Sequence, residues 1–398
     1  MNVNQSEGRR GGQSVSHNMD DMCDHNMVDW EKQMDTLYTY FYLFLFFPGL
    51  LLNTVALWVL CRHISKKMKT AIFMINLAFA DLAHVLSLPL RIYYYFTHTW
   101  PFGHAICLFC FYLKYLNMYA AIGFLVCISV QRCVFLLKPF FACRWRKRYD
   151  LLISVVVWLV VGMACSPFVL VRDSSQLTDP GNGSLSYKPQ CFKDLPTRKL
   201  PLPTAVTMIV LGELFGFLLP LAAISYSSVR IAHSLLTAQG RDPGGPQPRG
   251  HANRPLSSSS SFSSSLRPHD PQTEAASNRQ SAGDKARALR MVLSCTTLFL
   301  ICYAPYHVNF LLYLMVEQGL VSNCSVRLAT KQLHPVSLCL SSISCCLNPL
   351  LYYFLTTEFR LHLSSRASSL ASTLISSPVG SKLLRKRLVS TEGPDPHT

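Results

Sequence analysis

HAICLFCFYLKYLNMYAAIGFLVCISVQRCVFLLKPFFACRWRKR, residues 104–148, is an apolar run that passes into a basic one. A helix rises 1.5 Å per residue, so about 20 apolar residues cross the roughly 30 Å hydrocarbon core of a bilayer. The run beginning at Cys107 exceeds that length, and its strongly polar interruptions are Lys114, Asn117 and Gln131-Arg132. Lys138, Arg144, Arg146, Lys147 and Arg148 follow. Lys and Arg collect on the cytoplasmic side of spanning helices, so this stretch reads as a membrane-spanning helix whose basic end faces the cytoplasm.

The other apolar runs are arranged around it, at about 37–60, 70–96, 150–170, 203–235, 286–314 and 328–355. Basic loops border them alternately, which puts the amino terminus outside and the tail inside. The expected fold is all-α, a seven-transmembrane helix bundle within 36–357. An extracellular segment 1–35, polar and mobile apart from a tether at Cys23, precedes it. A short amphipathic eighth helix at 358–366 and a cytoplasmic tail at 367–398 follow. Residues 240–283 combine Gly and Pro with a serine run and lack apolar periodicity, so they read as a disordered loop. Met1–Lys32 has no apolar signal-peptide core, which leaves the first span to act as its own insertion signal.

Composition agrees. Half of the 398 residues are hydrophobic and only 15% are charged, a balance that belongs to membrane proteins. The net charge of +16 sits mainly between the apolar runs, where it meets anionic lipid and sets topology, so nucleic acid is not the expected partner. Most of the fifteen cysteines lie inside apolar runs as small hydrophobes; Cys23, Cys107, Cys191 and Cys324 fall in or beside extracellular segments. Four such cysteines allow three pairings. Asn4 and Asn182 begin glycosylation triplets.

A carboxylate in an apolar helix is expensive unless it faces polar partners. Asp81 therefore requires them, and Asn53, Asn117 and Asn348 are the candidates, with water or a sodium ion between. A polar knot that only ties helices together is an equal reading. Lys114 and Arg91 place two cations in the outer half, where low dielectric strengthens attraction to phosphate or carboxylate. The competing reading has Arg91 snorkelling to the interface and Lys114 paired with Glu213. Tyr115, Tyr119, Tyr306, His307, Lys331 and His334 add donors near the same mouth. Pro89, Pro167, Pro220, Pro305 and Pro349 each permit a kink. No metal-binding His-Glu-x-x-His, glycine-rich phosphate loop or nucleophile elbow occurs, so no enzyme chemistry is expected.

Asn53, Leu77-Ala78-Phe79-Ala80-Asp81, Trp100-Pro101-Phe102-Gly103, Trp158, Pro220 and Asn348-Pro349-Leu350-Leu351-Tyr352 appear in chain order. Together they resemble the motifs of rhodopsin-like G-protein-coupled receptors across about 36–366. Leu88-Pro89-Leu90-Arg91, Lys114-Tyr115-Leu116-Asn117, Gln131-Arg132-Cys133 and Phe299-Leu300-Ile301-Cys302-Tyr303-Ala304-Pro305-Tyr306-His307 resemble the nucleotide and lysophospholipid branch, in particular its purinoceptor-like lysophosphatidylserine receptors. The resemblance implies a Cys107–Cys191 disulfide, with Cys23 and Cys324 left for a second bridge. It implies activation through Arg132, Tyr303, Pro305, Asn348, Pro349 and Tyr352. It implies a heterotrimeric G protein of the G12/13 class as partner, with receptor kinases and arrestin as further ones, and a plasma-membrane location. The expected ligand is an extracellular anionic lysophospholipid, most of all lysophosphatidylserine, and a nucleotide or lysophosphatidic acid is the alternative. A transporter is the alternative from another class. No cofactor is expected beyond an allosteric sodium ion. Gln131 replaces the usual acidic neighbour of the arginine, Tyr303 the usual tryptophan or phenylalanine, and Ser228 a common fifth-helix tyrosine, from which Tyr226 is displaced.

Overall fold

The structure, a computed structural model, describes residues 10–64, 71–170, 191–192, 201–239, 271–317, 320–321, 323–355, 364–365 and 368, with a narrower set of side chains. The main helices are α1 (Arg10–Val59), α2 (Ala71–Thr97), α3 (His104–Leu137), α4 (Pro139–Arg144) and α5 (Lys147–Leu170). They continue with α6 (Leu202–Glu213), α7 (Leu219–Gln239), α8 (Pro271–Leu298), α9 (Ala304–Glu317) and α10 (Cys324–Leu355). A wide turn at Leu214–Leu218 joins α6 to α7 in one rod, and another at Phe299–Tyr303 joins α8 to α9. Among the described residues, seven rods are long and apolar enough to cross a membrane. The protein is an all-helical, multi-pass membrane protein.

α3 packs against α2, α5, α7 and α8, and touches α10. Helix α5 lies at the periphery, with Leu152, Leu159 and Met163 exposed. Exposed Phe44, Leu51, Phe96, Phe215 and Val308 on other helices extend this apolar exterior. Such a surface is stable in hydrocarbon and not in water.

Two boundaries differ from those read in the sequence. Helix α1 begins at Arg10, inside the polar segment expected to lack structure, and its membrane-length part is Lys32–Arg62. No proline precedes Pro48, so no proline ring blocks the first helix from extending backward. Helix α8 begins at Pro271, so 271–283 is helical although it was expected to be disordered loop. Pro271 suits a first helical position, and Glu274, Ala275, Ala276, Arg279, Gln280 and Ala282 favour helix. Residues 240–270, Asn4 and Asn182 lie outside the described residues, as do most of the expected eighth helix and nearly all of the tail.

Both wide turns come just before a proline. A proline ring clashes with the carbonyl four residues earlier and offers it no N–H. Ahead of Pro220, Leu219 N–H reaches back five residues to Leu214 O; ahead of Pro305, Ala304 N–H reaches Phe299 O. These π turns absorb the clash without breaking the rod.

Pro349 creates the same deficit in α10, where the Cys345 carbonyl loses its regular donor. Asn53 Nδ2 supplies one from α1 at 2.7 Å and also bonds the Gly49 carbonyl at 2.9 Å. The side chain is fully buried. Gly49 is required beside it, because a Cβ there would lie 2.8 Å from Val85 Cγ2. Asn53→Ala leaves the Cys345 carbonyl without that donor, an expected cost of about 1–3 kcal/mol. The measurement is the thermal midpoint of detergent-solubilised protein; an unchanged midpoint would show that the bond contributes nothing.

Candidate functional site

The bundle carries its functional side chains in three layers between the disulfide end and the Arg132 end. At the disulfide end, Cys107 of α3 is bonded to Cys191. Phe192, held at φ 56° and fully buried, inserts among Tyr94, Tyr95, Trp100 and Phe111, with ring centroids 5.3–6.0 Å away. A bulky residue at positive φ is uncommon, and this one is kept there by the disulfide and the aromatic box. Cys324, at the start of α10, is disulfide-bonded too; the side chain of Cys23 lies outside those described.

Directly beneath lies a group of cations. Arg91 is 3% exposed: its guanidinium sits 4.5 Å from the Phe192 ring centroid and donates to the Cys110 carbonyl at 2.6 Å, while its Nε has no hydrogen-bond partner. Arg91 does not snorkel to an interface. Lys114 is 7% exposed and donates to the Tyr42 hydroxyl at 3.4 Å. Lys114 does not pair with Glu213, as the competing reading of the sequence had it; Glu213 is taken by His307, 3.3 Å from its Nδ1. Among the described residues, neither Arg91 nor Lys114 has a carboxylate within ion-pair distance. Both are within electrostatic reach of His84, buried one α2 face below, whose Nδ1 has no partner.

Tyr115 lies between this group and a second one, since it interacts with Tyr42 on one side and with Tyr119 and Tyr306 on the other. In the second group His307 meets Tyr119, Tyr306 and Phe217 at ring distances of 5.3–5.8 Å. Gly216 makes room for it, because a Cβ there would meet Tyr119 Cε1 at 2.6 Å and His307 Cε1 at 3.0 Å. His334 stacks on Tyr313 at 3.9 Å and approaches Asn309; Lys331 lies half-buried one turn earlier in α10. The eight residues expected to receive a ligand thus gather in one end of the bundle. The sequence reading missed His84 and Phe192. Seven-residue spacing from Arg91 signals the first, and adjacency to Cys191 the second.

The middle layer is the polar node. Asp81 accepts from Asn117 Nδ2 at 2.8 Å on one carboxylate oxygen and from Asn348 Nδ2 at 2.9 Å on the other. Asn53, the third expected partner, makes no direct bond to Asp81: its amide nitrogen donates to the Gly49 and Cys345 carbonyls. Tyr303 is fully buried against Phe299, one turn from Pro305. At the far end Arg132 lies near Cys295 of α8. Gln131 Nε2 and Trp145 Nε1 both donate to buried Asp150 Oδ1, at 2.6 and 2.7 Å. An acid from α5 thereby takes up the amide that stands where an acid usually precedes the arginine. The side chain of Tyr352 lies outside those described.

Trp158 Nε1 donates to Asn76 at 2.8 Å, which completes the inward-facing set of motif residues. The profile of the 7 transmembrane receptor (rhodopsin family) matches residues 52–352. The chain belongs to that family. It is 45% identical to a mouse purinoceptor 10 over 88% of its length and 93% of the relative's. It is 41% identical to human G-protein coupled receptor 174, with 82% and 85% covered, and 31% identical to human lysophosphatidic acid receptor 6, with 80% of each. This receptor therefore belongs to the purinoceptor-like and lysophospholipid group, binds an extracellular ligand and couples to G proteins. That membership displaces the transporter alternative.

Phe192→Ala empties the aromatic box, and about 3 kcal/mol of stability should be lost, with a lower thermal midpoint as the readout. Gly216→Ala forces the Tyr119 ring away from the wide turn at Leu214–Leu218, an overpacking cost of about 1–3 kcal/mol. Its test is comparison with Gly212→Ala, where a Cβ meets nothing nearer than 4.0 Å; equal midpoints would show that the close contact is not limiting.

Proposed function

We propose that the receptor recognises an anionic single-chain lysophospholipid, with lysophosphatidylserine as the leading ligand. The observation that carries this reading is the pair of buried cations, Arg91 and Lys114, with no carboxylate among the described residues to balance them. Burying an unpaired charge is costly, and a bound phosphate or carboxylate removes the penalty through charge-assisted hydrogen bonds. A serine phosphodiester head carries both anions. Tyr115, Tyr119, Tyr306 and His307 offer hydroxyl and imidazole contacts deeper in, and Lys331 and His334 complete the polar rim. The acyl chain leaves the head along apolar surface, each buried methylene contributing about 0.8 kcal/mol.

A second reading, lysophosphatidic acid or a nucleotide, draws on the names of the relatives and on the same cations. Acyl-chain dependence separates lipid from nucleotide. Dependence on the serine head separates the two lipids.

The receptor works at the plasma membrane with its disulfide end outside, where oxidising conditions favour Cys107–Cys191 and where Asn4 and Asn182 would be glycosylated. Ligand pressure on Tyr119 and His307 reaches α9, and the wide turn at Phe299–Tyr303 lets α8 swing away from α3. This exposes Arg132 to a G protein of the G12/13 class, with Asn348 and Pro349 repacking alongside. Receptor kinases and arrestin would act on the serine-rich loop and tail. A sodium ion suits Asp81 in part: the carboxylate supplies charge and oxygen, and the two asparagine donors leave lone pairs free. Such an ion would hold the resting arrangement.

The test is a panel of Gα activation assays in cells displaying the receptor, challenged with lysophosphatidylserine, lysophosphatidic acid and nucleotides. Arg91→Gln and Lys114→Gln should each lower lipid potency roughly tenfold or more, the scale of a lost charge-assisted bond, with surface display retained. Full response to a nucleotide with no response to either lipid would overturn the reading.

A further inference from the structure

At the Arg132 end, α2, α3, α4 and α5 border an open-sided cavity of about 530 Å³ that the ligand site above does not use. Its size is that of a small-molecule pocket. Val126, Val130, Val134, Phe141, Trp145 and Ile153 give it apolar walls. Two further lining residues are polar, and they differ in kind. Lys138 is exposed, and the exposed Arg144, Arg146, Lys147 and Arg148 follow it in the chain. Among the described residues, no acidic side chain lines the cavity. Gln131 is 6% exposed: its amide nitrogen is held by Asp150, and its Oε1 is buried without a hydrogen-bond partner. An acceptor in that condition calls for a donor.

The cavity thus asks for three chemical features in one occupant: a chain for the walls, an anion for Lys138, and a hydroxyl within reach of Gln131. Lys138 and Gln131 are seven residues apart, about two turns or roughly 10 Å along α3. We propose that this cavity binds a single-chain lipid with an anionic head and a free hydroxyl, drawn from the leaflet that faces α4. The location gives it a regulatory effect. Trp145 forms part of the wall and also donates to Asp150, the residue that holds Gln131, and Gln131 adjoins Arg132. An occupied cavity wedges α4 and the start of α5 against α3, and so fixes the loop beside the G-protein surface.

The test uses full-length receptor carrying Arg91→Gln and Lys114→Gln, so that lipid binding at the disulfide end is weakened. The probe is lysophosphatidic acid with a photoreactive diazirine in its chain, and labelled peptides are mapped by mass spectrometry. Label is expected within 126–138 and 141–153. Unlabelled lysophosphatidic acid should compete better than a fatty acid of equal chain length, which lacks the hydroxyl, and better than neutral-headed lysophosphatidylcholine. Filling the cavity with Val130→Trp, or independently with Val134→Phe, should cut the labelling roughly tenfold in receptor that remains at the cell surface; Lys138→Glu should do the same without altering cavity shape. Label confined to other segments of the receptor overturns the proposal whatever the variants do, and so does labelling that no variant and no competitor reduces. Because label is assigned by peptide, and the two ends of the bundle give different peptides, the outcome is independent of which lipid the disulfide end takes.

Discussion

A buried carboxylate with two amide partners sets the terms for the whole bundle. Asp81 sits fully inside α2, and Asn117 and Asn348 each give one oxygen a hydrogen bond from a different helix. A charge or a carboxylic acid left without partners in hydrocarbon would cost more than most packing contacts return. Helices α2, α3 and α10 must therefore meet at this depth. The meeting point determines which side chains share the level above, where Arg91 and Lys114 face each other, and which share the level below, where Arg132 faces α8. Two layers with opposite tasks are spaced by one constraint.

Prolines supply the other half of the design. Each removes a backbone donor, and the chain repairs the loss in two ways. In the rods containing Pro220 and Pro305 the helix widens locally and keeps its hydrogen bonds by reaching back five residues. In α10 the repair comes from another helix, through Asn53. The first kind of repair leaves a compliant turn within one rod. The second ties two rods together. The wide turns lie in the two rods that make the His307–Glu213 contact, and the tie lies between α1 and α10. The two kinds of repair thus fall on different helix pairs, and α10 packs against both α1 and the turn at Phe299–Tyr303.

The spans, their order and the helix type were legible because twenty-odd apolar residues in a row admit few readings, and because Asp81, Lys114 and prolines such as Pro220, Pro305 and Pro349 stand out against such a background. Arg91 and Lys114 were visible for the same reason. Other features arise only when helices meet. The bond from Asn53 to the Cys345 carbonyl was not legible, because its acceptor lies 292 positions away. His84 is an unremarked histidine in an apolar run until Arg91 and Lys114 surround it. Phe192 needs both the disulfide and the aromatic box to be recognised. The helical extensions at Arg10 and Pro271 escaped because polar composition was read as absence of structure, whereas helix propensity does not require apolar residues.

Where many receptors of this family place a tyrosine on the fifth spanning rod, Ser228 instead faces Thr296 across 3.3 Å, and Tyr226 points outward, 63% exposed. Each hydroxyl also donates within its own helix, Ser228 to Ile224 O and Thr296 to Val292 O at 3.0 Å, so the contact between them is worth at most about 1 kcal/mol, a bias of about fivefold. This latch between α7 and α8 is weak in both directions. It does little to keep the resting arrangement shut, and no tyrosine from α7 waits to brace the open one. Quiescence in the absence of agonist, and the duration of a signalling event once begun, must then be governed from elsewhere in the molecule or by the bound G protein itself.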